Sequence, residues 1–576
     1  MDYDYMQEYR FWCENPYFDE GTKKELAAIA GDENEIRERF YRSLEFGTGG
    51  LRGIIGAGTN RMNLYTVRKA TQGLANFILK EGGASKGVAI AYDSRRMSIE
   101  FSEEAALCLA ANGIKAYRFE SLRPTPELSF AVRELGCIAG IVVTASHNPA
   151  EYNGYKVYWD DGAQVTPPKD AEIIDEVNAV TDWAKVRTMS RVDAIRSGLY
   201  FVIGSEIDDR YMTELKKQVI RGDLCRKIGA DMKVVYTPLH GTGNLPVRRV
   251  LKEIGFEQVY VVPEQEKPDG NFPTVKSPNP ENKAAFELAL ALAEKVGAEL
   301  VLATDPDADR LGVFAKDSAS GEYKSFTGNM SGMLICEYLL SQRRELGLLH
   351  DDGFLVKTIV STNMADLIAA EYGVELKECL TGFKYIGELI RIAEQTGKGH
   401  YEFGFEESYG CLVGTHARDK DAVVAVMMLC EAAAYYRTKG LTLWDQMMNI
   451  YRKYGFFREG IETIELKGFE GAAKISQMMD AIRENPPKVL GDYKVKEFRD
   501  YEKDVVTDIA TGETRPTGLR KSNVLYFDLT DHAWACVRPS GTEPKIKFYM
   551  GVKGTSFEDA DARLAKLDAA LMELSK

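Results

Sequence analysis

Ile138-Ala139-Gly140-Ile141-Val142-Val143-Thr144-Ala145-Ser146-His147-Asn148-Pro149 is the stretch on which the fold turns. Its first half is short, apolar and partly β-branched, which reads as a buried strand. Its second half is polar, so a serine hydroxyl stands just past a strand end, the edge at which open α/β sheets place their ligand sites. Similar runs recur at Val88–Asp93, Lys233–Tyr236, Val259–Val262, Leu300–Ala303 and Phe354–Thr358, with amphipathic helical patterns between them. That alternation predicts βαβ units and mostly parallel sheets.

A second polar run, Asp305-Pro306-Asp307-Ala308-Asp309-Arg310, follows the apolar stretch Glu299–Thr304. Three carboxylates at alternating positions repel one another unless a positive charge sits among them. A calcium-binding EF-hand loop is the obvious rival. With Asp305 as its first position, the sixth is Arg310 where that loop needs glycine, and the twelfth is Lys316 where it needs glutamate. The run Leu311–Phe314 that follows is strand-like rather than helical. The EF-hand reading therefore fails. A hard divalent cation that keeps open positions, as Mg²⁺ does when shared with a phosphate, fits better.

Two further runs carry binding chemistry. Arg538-Pro539-Ser540-Gly541-Thr542-Glu543-Pro544-Lys545-Ile546-Lys547 gathers a forked cation, hydroxyls, glycine and lysines, an inventory suited to a phosphate dianion or to an exposed basic turn. Gly404-Phe405-Glu406-Glu407-Ser408-Tyr409-Gly410 offers carboxylates and a hydroxyl between glycines, suited to sugar hydroxyls or to a surface turn.

In this order and at these spacings the four runs resemble the α-D-phosphohexomutases, the phosphoglucomutase and phosphomannomutase superfamily. The likeness covers nearly the whole chain. Gly47–Gly56 with Gly58–Asn63 is similar to the longer phosphoglucomutase branch that also contains phosphopentomutases. The resemblance implies an α/β protein: three similar mixed or parallel α/β domains and a smaller C-terminal α+β domain around a central cleft. The expected domains are residues 1–205 with the serine loop, 206–325 with the metal loop, 326–455 with the sugar loop and 456–576 with the phosphate loop. The implied activity is Mg-dependent intramolecular phosphoryl transfer. Glucose 1-phosphate and glucose 6-phosphate would interconvert through a phosphoserine and glucose 1,6-bisphosphate, which also serves as activator.

Residue by residue, the resemblance makes Ser146 the phosphoryl carrier, with Lys156 and Arg310 supporting transfer. One Mg²⁺ would be held by Asp305, Asp307, Asp309 and Ser146. Arg52, His147, Thr381, Glu406, Ser408 and Lys420 would contact the substrate, and Arg538, Ser540, Gly541 and Thr542 would hold the phosphate not in transfer. His240 reads as a structural loop histidine. The Glu-Glu-Ser form of the sugar loop favours glucose. Phosphopentomutase, phosphomannomutase and glucose 1,6-bisphosphate synthase activities remain alternatives, as does an inactive sugar-phosphate sensor, although that reading would require loss of a residue still present here.

Composition agrees. A chain of 576 residues is too long for one core, so three to five domains are expected. With 45% hydrophobic and 28% charged residues the chain is ordinary globular material, and a net charge of −14 argues against nucleic acid and anionic membranes. The nine cysteines include no C-x-x-C pair, so neither a zinc site nor a disulfide framework is expected. Met1–Tyr5 has no basic or apolar signal region, and no apolar run approaches the roughly 18 residues of a membrane span, so a cytoplasmic protein is expected. Sugar phosphates are the expected partners, and oligomeric state is not legible. In the last portion, short strands at Val524–Phe527, Ala533–Val537 and Ile546–Met550 precede one terminal helix with Leu564, Leu567, Leu571 and Leu574 on a stripe.

Overall fold

The computed structural model describes residues 4–47, 49–466, 468–540 and 545–575. The chain forms two compact units. The first is Met1–Gly328 with Phe383–Gly397 and Ser408–Gly440, and the second is Asn329–Gly382 with Lys398–Glu407 and Leu441–Lys576.

The first unit contains two sheets. In one, the strands run in the order Gly50–Ile54, Tyr152–Trp159, Ala139–Val143, Val88–Tyr92, Ala116–Phe119, Tyr200–Ile203. Val88–Tyr92 and Ala139–Val143 lie parallel, and every residue of both is buried, as strands covered by helices on both faces must be. Tyr152–Trp159 returns antiparallel on Ala139–Val143, so Lys156 falls opposite Val142, close to the serine run. That return needs Gly154. A Cβ there would stand 2.4 Å from the Thr144 carbonyl oxygen and 2.9 Å from that of Leu51. Lys156 thus lies on an eight-residue strand.

The second sheet runs Tyr323–Ser325, Leu311–Lys316, Leu300–Thr304, Lys233–Thr237, Gln258–Val261. Lys233–Thr237 is parallel to both Leu300–Thr304 and Gln258–Val261. Leu311–Lys316 folds straight back on Leu300–Thr304 with Leu311 opposite Thr304, so Asp305–Arg310 is a tight loop at the buried end of a hairpin. The helix Ala422–Arg437, buried along nearly its whole length, also belongs to this unit.

In the second unit, Glu375–Cys379, Gly353–Thr358 and His400–Glu406 form a parallel set. The C-terminal portion is antiparallel, with Lys545–Gly554 between Phe456–Glu465 and Trp534–Pro539. Two helices accompany it, Phe557–Glu573 and also Gly468–Glu484, where one was expected. Glycines 468 and 471 disguise the second helix in sequence, but Ile475, Met479 and Ile482 fall on one face and pack into the same core as Leu567 and Leu571. The fold is thus three α/β layers followed by a β-rich C-terminal region. All nine cysteines are free, and all but Cys13 are buried. Among the described residues, no helix is long and apolar enough to cross a membrane.

Candidate active site

Thr144-Ala145-Ser146 leaves the end of its strand through a left-handed residue, Ser146 at φ 51°. Such a conformation costs a non-glycine residue of order 1–3 kcal/mol and persists only when its surroundings impose it. Two buried groups do so. The Thr144 hydroxyl accepts the Ser146 N–H at 2.8 Å and donates to Asp93 Oδ2 at 2.7 Å. Asp93 also accepts the Arg95 N–H at 2.9 Å and the Ser98 hydroxyl at 2.8 Å. Arg95, its side chain wholly buried, donates to the carbonyls of Ser146 (2.6 Å), Pro149 (2.8 Å) and Tyr152 (3.0 Å), and also to that of Asn148. A guanidinium fork is the donor suited to organising several carbonyls at once. The serine is therefore held from beneath by a cation.

The hydroxyl that results is aimed. Ser146 Oγ donates to Asp305 Oδ2 at 2.6 Å and lies 3.2 Å from His147 Nδ1. Burial together with the cationic Arg310 and Arg52 lowers the His147 pKa to about 2, so the imidazole is neutral.

Asp305, Asp307 and Asp309 converge, with one oxygen of each within 4.8 Å of the others, and all three are buried. The Asp305 Oδ1 accepts the N–H groups of Asp309 and Arg310 at 3.1 and 3.0 Å. Asp307 Oδ2 accepts Lys156 Nζ at 2.9 Å and the Thr125 hydroxyl at 2.8 Å. Lys420 Nζ stands 3.3 Å from Asp309, and it also pairs with Asp419, which the Tyr158 hydroxyl binds at 2.6 Å. Arg310 pairs with Glu281. Burial and the neighbouring aspartates push Asp305 well above the usual carboxylate range. Burial also raises Asp309. Asp307 is held low despite its burial, because the Lys156 ammonium faces it.

The loop is electrostatically incomplete. Among the described residues, five carboxylates (Asp305, Asp307, Asp309, Asp419, Glu281) and three cations (Lys156, Lys420, Arg310) meet here, an excess of two negative charges when all are ionised, which the adjacent, mutually paired Arg95 and Asp93 leave unchanged. Asp307 Oδ1 and Asp309 Oδ1 are buried with no hydrogen-bond partner among the described residues. Unsatisfied buried oxygens around an anionic centre fit a hard divalent cation.

The remaining expected residues are distributed over both units. Arg52, on the strand Gly50–Ile54, is exposed and close enough to act on His147. Ser408 sits in the turn whose Tyr409 carbonyl accepts the Leu311 N–H at 2.9 Å, which ties that turn to the exit of the aspartate loop. In the second unit, buried Glu406 accepts the Gly382 N–H at 2.9 Å and so fixes the loop that carries Thr381. Arg538 is half-buried beside Tyr549, and the Ser540 N–H donates to the Lys545 carbonyl at 2.7 Å. Gly541 and Thr542 lie outside the described residues. His240 is buried between the Lys267 carbonyl (3.0 Å) and the Thr274 hydroxyl (2.9 Å).

Sequence reasoning missed Asp93, Arg95, Thr125, Thr144, Tyr158, Asp419 and Glu281. One signal was available for the first two: Asp93-Ser94-Arg95 follows the strand Val88–Tyr92 at the same sheet edge as Ser146.

Profiles of the phosphoglucomutase/phosphomannomutase α/β/α domains I, II and III match residues 43–183, 209–321 and 327–454. The chain is 37% identical over 530 residues to a phosphoglucomutase of Staphylococcus aureus (strain USA300), covering 92% of this chain and 93% of that protein. Two crystal structures share the fold. The open form of the Paramecium phosphoprotein pp63/parafusin, a phosphoglucomutase, has a TM-score of 0.68 at 18% identity over 93% of this chain and 95% of that one. A phosphoglucomutase/phosphomannomutase family protein from Burkholderia thailandensis has a TM-score of 0.63 at 20% identity over 91% and 95%. With its serine and aspartate loops joined in one buried cluster and all three domain profiles matched in order, the chain belongs to the phosphoglucomutase/phosphomannomutase family.

Proposed function

We propose that this protein is a phosphoglucomutase: it interconverts glucose 1-phosphate and glucose 6-phosphate through a phosphoserine at Ser146 and a glucose 1,6-bisphosphate intermediate. The observation that carries this reading is the 2.6 Å hydrogen bond from Ser146 Oγ to Asp305, which puts a nucleophile-type hydroxyl at the edge of a buried tri-aspartate cluster.

C1 and C6 of a hexose are too far apart for a direct jump, so a covalent carrier divides the reaction into two transfers. Phosphorylated Ser146 gives its phosphoryl group to the free sugar hydroxyl. The serine P–O bond breaks, a P–O bond to the sugar forms, and the proton of the sugar hydroxyl passes to the released Ser146 oxygen. After the bisphosphate turns over, its other phosphate returns to the Ser146 oxygen. Asp305, Asp307, Asp309 and a phosphoserine oxygen would hold one Mg²⁺, which when bound supplies neutralising charge to a largely dissociative transfer. Lys156 stays an ammonium, because Asp307 and Asp309 raise its pKa against its burial, and so serves the spread negative charge together with Arg310. Ser146 is held in its left-handed geometry before substrate arrives, which limits reorganisation during transfer.

Arg52, His147, Thr381, Glu406, Ser408 and Lys420 are assigned to the sugar phosphate, and Arg538, Ser540, Gly541 and Thr542 to the phosphate at rest. Residues 1–205, 206–325, 326–455 and 456–576 are the proposed working domains, and the cytoplasm is the proposed compartment. Glucose is favoured over mannose by Glu406-Glu407-Ser408.

The test joins one variant to a substrate panel. Intact mass and peptide mapping of active protein are expected to show one phosphate on the Ser146 peptide, and Ser146→Ala to lose nearly all turnover while still binding sugar phosphate. Among glucose, mannose, ribose and deoxyribose 1-phosphates, glucose is expected to give the highest kcat/KM. Wild-type turnover by the alanine variant would refute the carrier, and a pentose preference would reassign the substrate.

A further inference from the structure

The six-stranded sheet of the first unit ends at Tyr200–Ile203, which pairs with Ala116–Phe119 on one side and, among the described residues, with no strand on the other. The register fixes which backbone groups are left over. The carbonyls of Leu199 and Ile203 accept the N–H groups of Ala116 (2.8 Å) and Glu120 (2.9 Å). Successive residues of a strand turn their amides to opposite sides, so Phe201 also faces Ala116–Phe119. The N–H and C=O groups of Tyr200 and Val202 therefore point away from the sheet.

An open edge is a template for another strand, and edges that stay unpaired are blunted by charge, proline or a covering element. This one reads Tyr-Phe-Val-Ile, with Phe201 36% and Val202 53% exposed. Phe201 stacks on Tyr117 on one face of the sheet, ring centroids 5.0 Å apart. Val202 lies on the other face, where its register partner Arg118 donates to the Ile99 carbonyl, and the Ile99 side chain is itself exposed. Exposed Ile195, on the helix Arg191–Arg196 that packs against the strand, adds apolar surface.

The pattern of the edge selects its occupant. With a two-fold axis at Phe201, Tyr200 exchanges hydrogen bonds with the partner's Val202, and Val202 with the partner's Tyr200. An axis on either neighbour would set one of them against a glycine outside the strand, Gly198 or Gly204. At the axis the two Phe201 residues form a non-hydrogen-bonded pair, the kind that brings side chains closest, and extend the Tyr117–Phe201 stack across the joint. Charge agrees with this direction. The helix before the strand carries Arg191, Asp193 and Arg196, and the helix after it opens with exposed Glu206 and with Asp208, which Arg123 pairs. Antiparallel pairing lays the start of one strand beside the end of the other, so the net positive helix end meets Glu206. Parallel pairing would set like against like. We propose that Tyr200–Ile203 is a homodimer interface, at which two copies of this chain pair antiparallel about a two-fold axis at Phe201 and join their six-stranded sheets into one.

Sedimentation velocity of the full chain at micromolar concentration is expected to give twice the mass of the 64.3 kDa chain. Phe201→Lys opposes like charges at the axis and should give monomer. Val202→Pro deletes an outward N–H, which an edge strand tolerates, and should weaken the dimer at least about tenfold. Leu245→Lys, on the exposed side of the helix Asn244–Ile254, should leave the dimer unchanged. Phe201→Cys reads the register directly. The two thiols would lie within disulfide reach, and mild oxidation should give a covalent dimer that wild type, with all its cysteines but Cys13 buried, does not form. Circular dichroism confirms that each variant is folded. A monomeric wild type would leave the edge to an extended segment of another protein and overturn the proposal, as would a dimer indifferent to Phe201→Lys or a folded Phe201→Cys protein that does not crosslink.

Discussion

The loop after the strand Ala139–Val143 and the loop after the strand Leu300–Thr304 both turn through a left-handed residue, Ser146 and Ala308, each at φ 51°. What holds them differs. The serine loop rests on a buried cation whose two terminal nitrogens are met by four carbonyls, with Asp93 as its counter-charge 3.4 Å from Nε. The aspartate loop concentrates anions and leaves two carboxylate oxygens without donors among the described residues. One loop carries its own counter-charge in the Arg95–Asp93 pair, while the other has an excess of anions suited to a charge from outside. The difference teaches that a positioned nucleophile and a cation site, though in hydrogen-bond contact, make opposite demands on the fold.

Substitutions can separate the two. The largest effect is expected from Arg95→Met, which strips donors from four carbonyls and leaves Asp93 buried without its cation. Breaking a buried pair in this way costs about 3–5 kcal/mol, and misplacement of the serine is expected to lower turnover at least about a hundredfold. Denaturant unfolding and kinetics check both. A stable, fully active variant would show that Arg95 does not hold the loop.

Asp305→Asn should show the reverse balance: turnover falls at least about a hundredfold, while stability measured in chelator is unchanged or higher. The sign follows from the raised Asp305 pKa, since a carboxyl raised in the fold costs stability once the pH exceeds its unfolded value. Asparagine removes that cost and keeps an acceptor for the Asp309 and Arg310 amides. A large loss of chelator-treated stability would mean that the aspartate loop is as self-sufficient as the serine loop.

Thr144→Val removes the hydroxyl that links the Ser146 N–H to Asp93. Loss of about 1–3 kcal/mol is expected from the groups left unpaired, readable by urea unfolding, with a smaller fall in turnover than for Arg95→Met. An unchanged unfolding midpoint would remove Thr144 from the scaffold.

The mildest test asks what burial does to a carboxyl outside the tri-aspartate cluster. Glu127 is two residues from Thr125, which braces Asp307. Its raised pKa means the folded state binds more protons than the unfolded state from about pH 4.5 upward, so its contribution to stability is lost as pH rises. Glu127→Gln should match wild type near pH 4 and melt a few degrees higher near pH 8. A parallel pH dependence of the two proteins would contradict the raised pKa.

The strands at Val88, Ala139, Lys233, Leu300 and Gly353 were legible because buried parallel strands are unbroken apolar runs. Ser146 and the aspartates were legible because each group lies within a short polar run at a strand end. Arg95 and Thr125 were not, since an arginine after a strand and a threonine before Pro126 look like ordinary loop chemistry until distant segments close on them. Asp419 and Tyr158 meet across more than 250 positions of sequence, and neither carries a local mark of the contact. The helix Gly468–Glu484 was obscured by its own glycines.

The cysteines carry a practical consequence. Burial raises the thiols of Cys108, Cys137 and Cys536 to about 12 and pushes those of Cys225, Cys411 and Cys430 higher still. A thiol reagent consumes thiolate, so these positions react only when their surroundings open. Distributed among the α/β layers and the C-terminal sheet, they form a set of built-in stopwatches, each recording how often its own neighbourhood breathes.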